Sequence, residues 1–174
     1  SGAGLVGSLS AILLSRMGYS CCLIEKNKIT TEKETNTYSP LSLNYRSILI
    51  LKKFKIWNNL KKISYPIKSL TLKSFNSFNR LSLKANDLNL DSLGYVFDRH
   101  KLLKIFRNIL AQENKISVFD SSEVEVINYN KSSNHLNLII NNKNLSKEIN
   151  INTKYLIASD GDKSNIKKSL HIDS

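Results

Sequence analysis

An α/β fold is predicted by three features of this chain: a glycine turn that opens a helix, a block of period-two segments, and an apolar strand that ends in Asp-Gly before a capped helix. Gly2-Ala3-Gly4-Leu5-Val6-Gly7 has the spacing G-x-G-x-x-G, and Leu5, Leu9, Ile12, Leu13 and Met17 recur behind it at the helical period. Val124 to Tyr129, Leu136 to Ile140 and Leu145 to Ile151 alternate apolar and polar residues between Asn, Ser and Lys turns, which predicts a three-stranded antiparallel meander.

The elements follow in order. The first helix stops at Gly18, where a left-handed cap fits. Ser20 to Ile24 reads as a short buried strand ending at Glu25-Lys26, and Asn27 to Pro40, rich in Thr, Lys, Glu and Asn, as a mobile loop. Leu41 to Lys62 reads as helix with a break near Phe54 and with Ile48, Leu51, Ile56, Trp57 and Leu60 inward. From Ile67 the period falls to two, and Leu70, Leu72, Leu81 and Leu83 predict antiparallel strands. Lys101 to Gln112 returns to helix on Leu102, Leu103, Ile105, Phe106, Ile109 and Leu110. Ile116 to Phe119 is a strand, the meander follows, Tyr155 to Ala158 is a final buried strand, and Ser164 caps a helix running to Leu170.

The chain has 174 residues and a formal charge of +12, enough length for a core and enough basic excess to suggest an anionic partner. The excess is 21 Lys against 5 Arg, accompanied by 21 Asn and spread without runs longer than a doublet. That reads as a solvated, compositionally biased surface, because a nucleic-acid site favours clustered Arg. A non-catalytic basic protein held on nucleic acid or an anionic membrane stays as the alternative of another class. The two cysteines, Cys21 and Cys22, are neighbours in a strand and point to opposite faces, which fits a reducing compartment. His100, His135 and His171 are scattered without metal-ligand spacing, so no metal site is expected.

The chemistry sits at the two glycine-bearing turns. In G-x-G-x-x-G the first glycine permits a tight turn, the second lets backbone approach a pyrophosphate, and the third lets helix and strand pack closely. Glu25, at the end of the next strand, is placed to accept hydrogen bonds from an adenosine ribose. Asp160-Gly161, after Tyr155 to Ser159, puts a carboxylate and backbone N–H groups at a sheet's carboxyl edge, although Asp-Gly is also ordinary turn chemistry. The glycine turn opens the chain, so its delivering strand is expected upstream of Ser1. The chain therefore reads as a fragment with the turn on an unsupported edge.

These residues, with Leu41-Ser42-Leu43-Asn44, Arg46-Ser47, Trp57, Pro66-Ile67, Asp87-Leu88 and Leu93-Gly94-Tyr95-Val96 near His100, resemble the class A FAD-dependent aromatic hydroxylases typified by p-hydroxybenzoate hydroxylase, nearest to the ubiquinone-biosynthesis hydroxylases. The resemblance runs from Gly2 to about Ile172. It implies a Rossmann-like FAD-binding domain of the glutathione-reductase type, residues 1–62 and 99–174, carrying the three-stranded β-meander. Residues 63–98 would be part of an interleaved antiparallel-sheet substrate domain.

The resemblance also implies that Gly2, Gly4 and Gly7 hold the FAD pyrophosphate, Glu25 the ribose, and Asp160 and Gly161 a second FAD edge near the NAD(P)H donor. Its activity would be monooxygenation of a prenylated aromatic small molecule with O2, in the cytoplasm or peripheral to the inner membrane, alone or in a biosynthetic complex and without nucleic acid. No catalytic residue is assigned. The family's Asp-x-Arg stands here as Thr37-Tyr38-Ser39, its late Arg as Lys167, and its third, Gly-Asp motif lies beyond Ser174. Another flavoprotein of this fold, a geranylgeranyl reductase or halogenase-like enzyme, or an inactive truncated homologue, fits the same residues.

Overall fold

A computed structural model describes residues 1–29, 37–73, 80–144, 147–161 and 164–170. The elements in chain order are α1 (Leu5–Arg16), β1 (Cys21–Ile24), β2 (Pro40–Asn44), α2 (Tyr45–Lys53), α3 (Trp57–Leu60), β3 (Tyr65–Ile67), β4 (Ser69–Lys73), β5 (Arg80–Lys84), β6 (Gly94–Asp98), α4 (Arg99–Leu110), β7 (Ile116–Phe119), β8 (Ser122–Asn130), β9 (His135–Asn142), β10 (Lys147–Thr153) and α5 (Asn165–Ser169), with 3-10 turns at Lys61–Ile63 and Asn86–Leu88. They fall into two compact units, Ser1–Lys33 with Phe106–Ser174, and Glu34–Ile105.

In the first unit α1 packs on β1 and β7, which run parallel with Cys21 opposite Ile116 and Ile24 opposite Phe119. The face that α1 buries is Gly7, Ser8, Ala11, Ile12 and Ser15. The predicted stripe of large residues is therefore corrected: Leu5, Leu9 and Leu13 are half-buried and Met17 is 59% exposed. Small side chains let a helix approach a sheet closely, and that need outweighs the gain from burying leucines. Gly18, at φ +101°, ends the helix as expected, with Gly18 N–H bonded to Ser15 O and Tyr19 N–H to Leu14 O. Glu113 clamps this end through Arg16 Nε at 2.7 Å and Ser15 Oγ at 3.0 Å.

The meander forms in the order β10-β9-β8, antiparallel throughout, with a bulge between Val124 and Val126 and with Leu138 and Ile140 buried. Leu145, placed in the third predicted segment, lies outside the described residues. The α5 cap is as predicted, Ser164 Oγ accepting from Lys167 N–H at 3.0 Å. Tyr155 to Ala158 is not a strand, and Tyr155 is 81% exposed. Among the described residues the backbone bonds of this stretch are to Ser1, whose nitrogen donates to Ile157 O and whose carbonyl accepts from Ser159 N–H.

In the second unit β6 is the centre of an antiparallel sheet, β2-β6-β3, and β4 pairs with β5 as a separate hairpin. The expected helix from Leu41 begins only at Tyr45. Leu41 and Leu43 alternate with Ser42 on β2, and Asn44 caps α2 by accepting from Ser47 N–H at 2.9 Å. The break near Phe54 is present, since Lys55 takes φ +57° between α2 and α3. Ile48, Leu51, Ile56, Trp57 and Leu60 are buried as predicted, and the Trp57 ring meets Tyr95 edge-on at 4.7 Å. Asp98 starts α4, accepting from His100 and Lys101 N–H. The Lys101 bond is the main reason its carboxyl lies below the usual range. Within the loop predicted from Asn27 to Pro40, residues 30–36 lie outside the described residues.

The small buried face of α1 sets an expected outcome for denaturant unfolding. Ala11→Leu overpacks the helix against β1 and costs about 1–3 kcal/mol. Val6→Ala, at a position 69% exposed, stays within about 0.5 kcal/mol. Equal stability of the two variants would contradict this packing.

Candidate functional site

The glycine turn is held from both sides. Gly2 N–H donates to Ile24 O at the end of β1 at 2.8 Å, while Ser1 O accepts from Ser159 N–H and from Ser159 Oγ, each at 2.8 Å. The expectation of an unsupported edge is corrected, because β1 and residues 157–159 flank the turn. Gly2 has φ +92°, and a Cβ there would overlap the Ser159 carbonyl oxygen. A Cβ on Gly7 would overlap the Gly2 carbonyl oxygen and lie 2.6 Å from Ser159 Oγ. Ser8, fully buried, donates from Oγ to Ala3 O at 3.1 Å and so fastens the turn to the helix.

Gly4 differs. It is the N-cap of α1 with extended backbone and no side-chain cap, and a Cβ added to it would meet nothing within 4 Å. The first intrahelical bond is Ser8 N–H to Gly4 O at 2.9 Å, so the N–H groups ahead of Ser8 in the first turn have no intrahelical acceptor. No acidic side chain stands in that turn. Open space, backbone donors and the positive end of a 12-residue helix together make a cradle for an anion.

Glu25 stands beside this cradle. Its Oε2 accepts from Ala3 N–H at 2.7 Å and its Oε1 from Asn27 N–H at 3.0 Å. An ionised carboxylate offers about four lone-pair sites, so acceptor capacity remains for a ligand hydroxyl. On the other flank Asp160 is exposed and Gly161 takes φ +85°. Asp160 directly follows Ser159, whose hydroxyl is bonded to Ser1 O and Gly2 O, so it borders the same turn. Gly2, Gly4, Gly7, Glu25, Asp160 and Gly161 are thus gathered around one turn. Asp162 and Lys163 of the same stretch, and His171, lie outside the described residues.

Two residues of this site carry no signal of their own in the sequence. Ser159 and Ser8 are small polar residues of ordinary type, and only the backbone geometry reveals that their hydroxyls tie the turn to its neighbours. Among the described residues no three His, Cys, Asp or Glu side chains converge as a metal site.

The residues present fit a dinucleotide such as FAD: a glycine whose missing Cβ leaves the helix N-terminus open, and a carboxylate with spare acceptor capacity next to it. Comparisons with known proteins agree. A family model described as an FAD binding domain matches residues 1–174. The ubiquinone biosynthesis monooxygenase COQ6 of Dictyostelium discoideum is 25% identical over 99% of this chain and 38% of its own length. The flavin-dependent monooxygenase PieE, solved with FAD and substrate, superposes with a TM-score of 0.79 at 17% identity over 99% of this chain and 31% of that one. Aklavinone-11 hydroxylase, solved with FAD and aklavinone, gives 0.72 at 15% identity over 98% and 34%. The fold is that of FAD-binding monooxygenases, and the chain spans 38% of the length of its Dictyostelium relative.

The glycines separate in a thermal-unfolding experiment. Gly4→Ala, facing open space but replacing the N-cap glycine of α1, costs about 1 kcal/mol or less. Gly7→Ala, whose Cβ collides with backbone, destabilises by about 1–3 kcal/mol or more as overpacking does. A Gly7→Ala variant as stable as the parent would refute the close approach.

Proposed function

The chain belongs to the FAD-binding-domain family, and from that premise we propose that it forms the cofactor-binding part of an FAD-dependent monooxygenase that hydroxylates a polyprenyl-phenol intermediate of ubiquinone synthesis with NAD(P)H and O2. The observation that carries the cofactor is the open cradle at Gly4 beside the Glu25 carboxylate. The finer substrate reading draws on the Dictyostelium relative, whose name places it in ubiquinone biosynthesis.

Gly4 and the first-turn N–H groups of α1 would take the pyrophosphate, with Gly2 and Gly7 keeping turn and helix close enough to aim them. Glu25, already oriented by Ala3 and Asn27, would accept the ribose hydroxyls, and Asp160 with Gly161 would border the cofactor on the opposite flank. Bound FAD would supply the redox chemistry that passes two electrons from NAD(P)H to O2, one oxygen atom entering the ring and the other leaving as water. The chain's own contribution is binding and orientation.

The functional division we propose assigns residues 1–62 and 99–174 to the cofactor and 63–98 toward the substrate. It differs from the division by compactness, which breaks at residue 33 and inside α4. Among the described residues no helix is long and apolar enough to cross a membrane. A prenylated substrate resides in the bilayer, and the net charge of +12 supports a peripheral approach to anionic lipid.

Titration of FAD into the chain, followed by quenching of flavin fluorescence, is expected to saturate. Gly4→Val fills the cradle, and Glu25→Ala removes a charged acceptor; each is expected to weaken binding about tenfold or more. No quenching by the parent chain would overturn the cofactor reading. With the full-length protein, mass spectrometry of a prenylated phenol after incubation with NADH or NADPH tests the hydroxylation.

A further inference from the structure

Four consecutive residues at the entry to β8 grip the segment that leaves β1. Asp120 Oδ2 accepts from Ile29 N–H at 3.1 Å, Ser121 N–H donates to Asn27 O, Ser122 N–H donates to Glu25 O at 2.8 Å, and Glu123 Oε1 accepts from Lys26 Nζ at 3.0 Å. Glu123 also reaches the other flank of the site. The same Oε1 accepts from Asn165 Nδ2 at 2.5 Å, and Asn165 is the first residue of α5, directly after the Ser164 cap. Lys143 Nζ, from the connection after β9, lies 3.7 Å from Oε2. One carboxylate therefore joins the neighbour of Glu25 to the helix that follows Asp160-Gly161, across sequence separations of 97 and 42 residues.

We propose that Glu123 is a positioning residue for the cofactor: it holds the Glu25 edge and the Asp160-Gly161 edge at a fixed spacing without touching the ligand. The proposal rests on the cofactor reading above. Among the described residues the charged groups facing Glu123 are Lys26 and Lys143, with Asn165 as the neutral donor. The Lys26 hydrogen bond, ahead of those from Asn165 and the charge of Lys143, holds the carboxyl below its usual range against the opposing effect of burial. A depressed folded-state value means that the tie is at full strength above the unfolded value. It is lost as the pH falls through the folded one.

The test compares the parent chain with Glu123→Ala and Glu123→Gln by amide hydrogen exchange without ligand and by FAD titration from neutral pH down through the carboxylate range. Glu123→Ala is expected to speed exchange in Lys26–Ile29 and Asn165–Leu170 together and to weaken FAD about three- to tenfold. Glu123→Gln still accepts from both donors, so at neutral pH it stays within about twofold of the parent while losing one inflection of the parent's pH profile. Faster exchange on one flank only, or on neither, overturns the proposal whether or not FAD binds. Unchanged FAD affinity in Glu123→Ala overturns it too. A parent chain that binds no FAD fails the cofactor reading, and the exchange data alone then decide the role of Glu123.

Discussion

The cofactor edge depends on how closely α1 is drawn onto the turn before it. A Cβ on Gly7 would overlap the Gly2 carbonyl oxygen, and that contact leaves no room for any side chain between helix and turn. With the gap closed, Ser8 reaches Ala3 O and Ser159 reaches the carbonyls of Ser1 and Gly2. The same approach aims the helix N-terminus at the open space beside Gly4 and leaves Ala3 N–H pointing at Glu25. The buried face of α1, made of Gly7, Ser8, Ala11, Ile12 and Ser15, extends the requirement along the helix. Larger residues would gain apolar burial and lose the geometry that makes an anion site.

The sequence was readable where a local rule had one meaning. Gly18 after an apolar helix, Ser164 before α5, the break near Phe54 and the alternating meander each depend on residues close in sequence, and each stands as predicted. The failures share a different cause. Leu41 to Asn44 looked helical because Ile48 and Leu51 follow at helical spacing, yet its backbone pairs with β6 about 54 residues away. β6 went unnoticed for the same reason: Gly94 to Asp98 is defined by two partners, β2 and β3, neither adjacent in sequence. Tyr155 to Ala158 has strand composition, yet among the described residues the backbone bonds of this stretch run to Ser1, far away in sequence.

Within the site, Gly2 and Gly7 were legible because a close backbone approach leaves no room for a side chain, and Glu25 because a carboxylate after β1 is the residue type that the ribose contact proposed above requires. Ser8, Ser159 and Glu123 were not, because a hydroxyl or carboxylate that ties two segments together can sit on many residue types. Its partners are set by the fold.

Charge follows the same logic. Twenty-six basic residues against 14 acidic ones draw attention to the majority sign, but that excess is dispersed Lys on a solvated surface. The minority sign carries the architecture. Glu113 clamps the end of α1, Asp98 starts α4, Asp120 and Glu123 hold the segment after β1, and Glu25 lines the turn. Each of these carboxylates accepts bonds from identified backbone or side-chain donors, and Lys26 and Lys115 are among the lysines that donate across segments in return. Losing one of these acids unties the groups that it holds. The long-range field of the basic excess still has a use: a dinucleotide arrives with a doubly charged pyrophosphate, and a net charge of +12 favours its approach from solution. On the cofactor reading proposed above, dispersed positive charge would speed the encounter, while the few carboxylates tie together the segments around the turn.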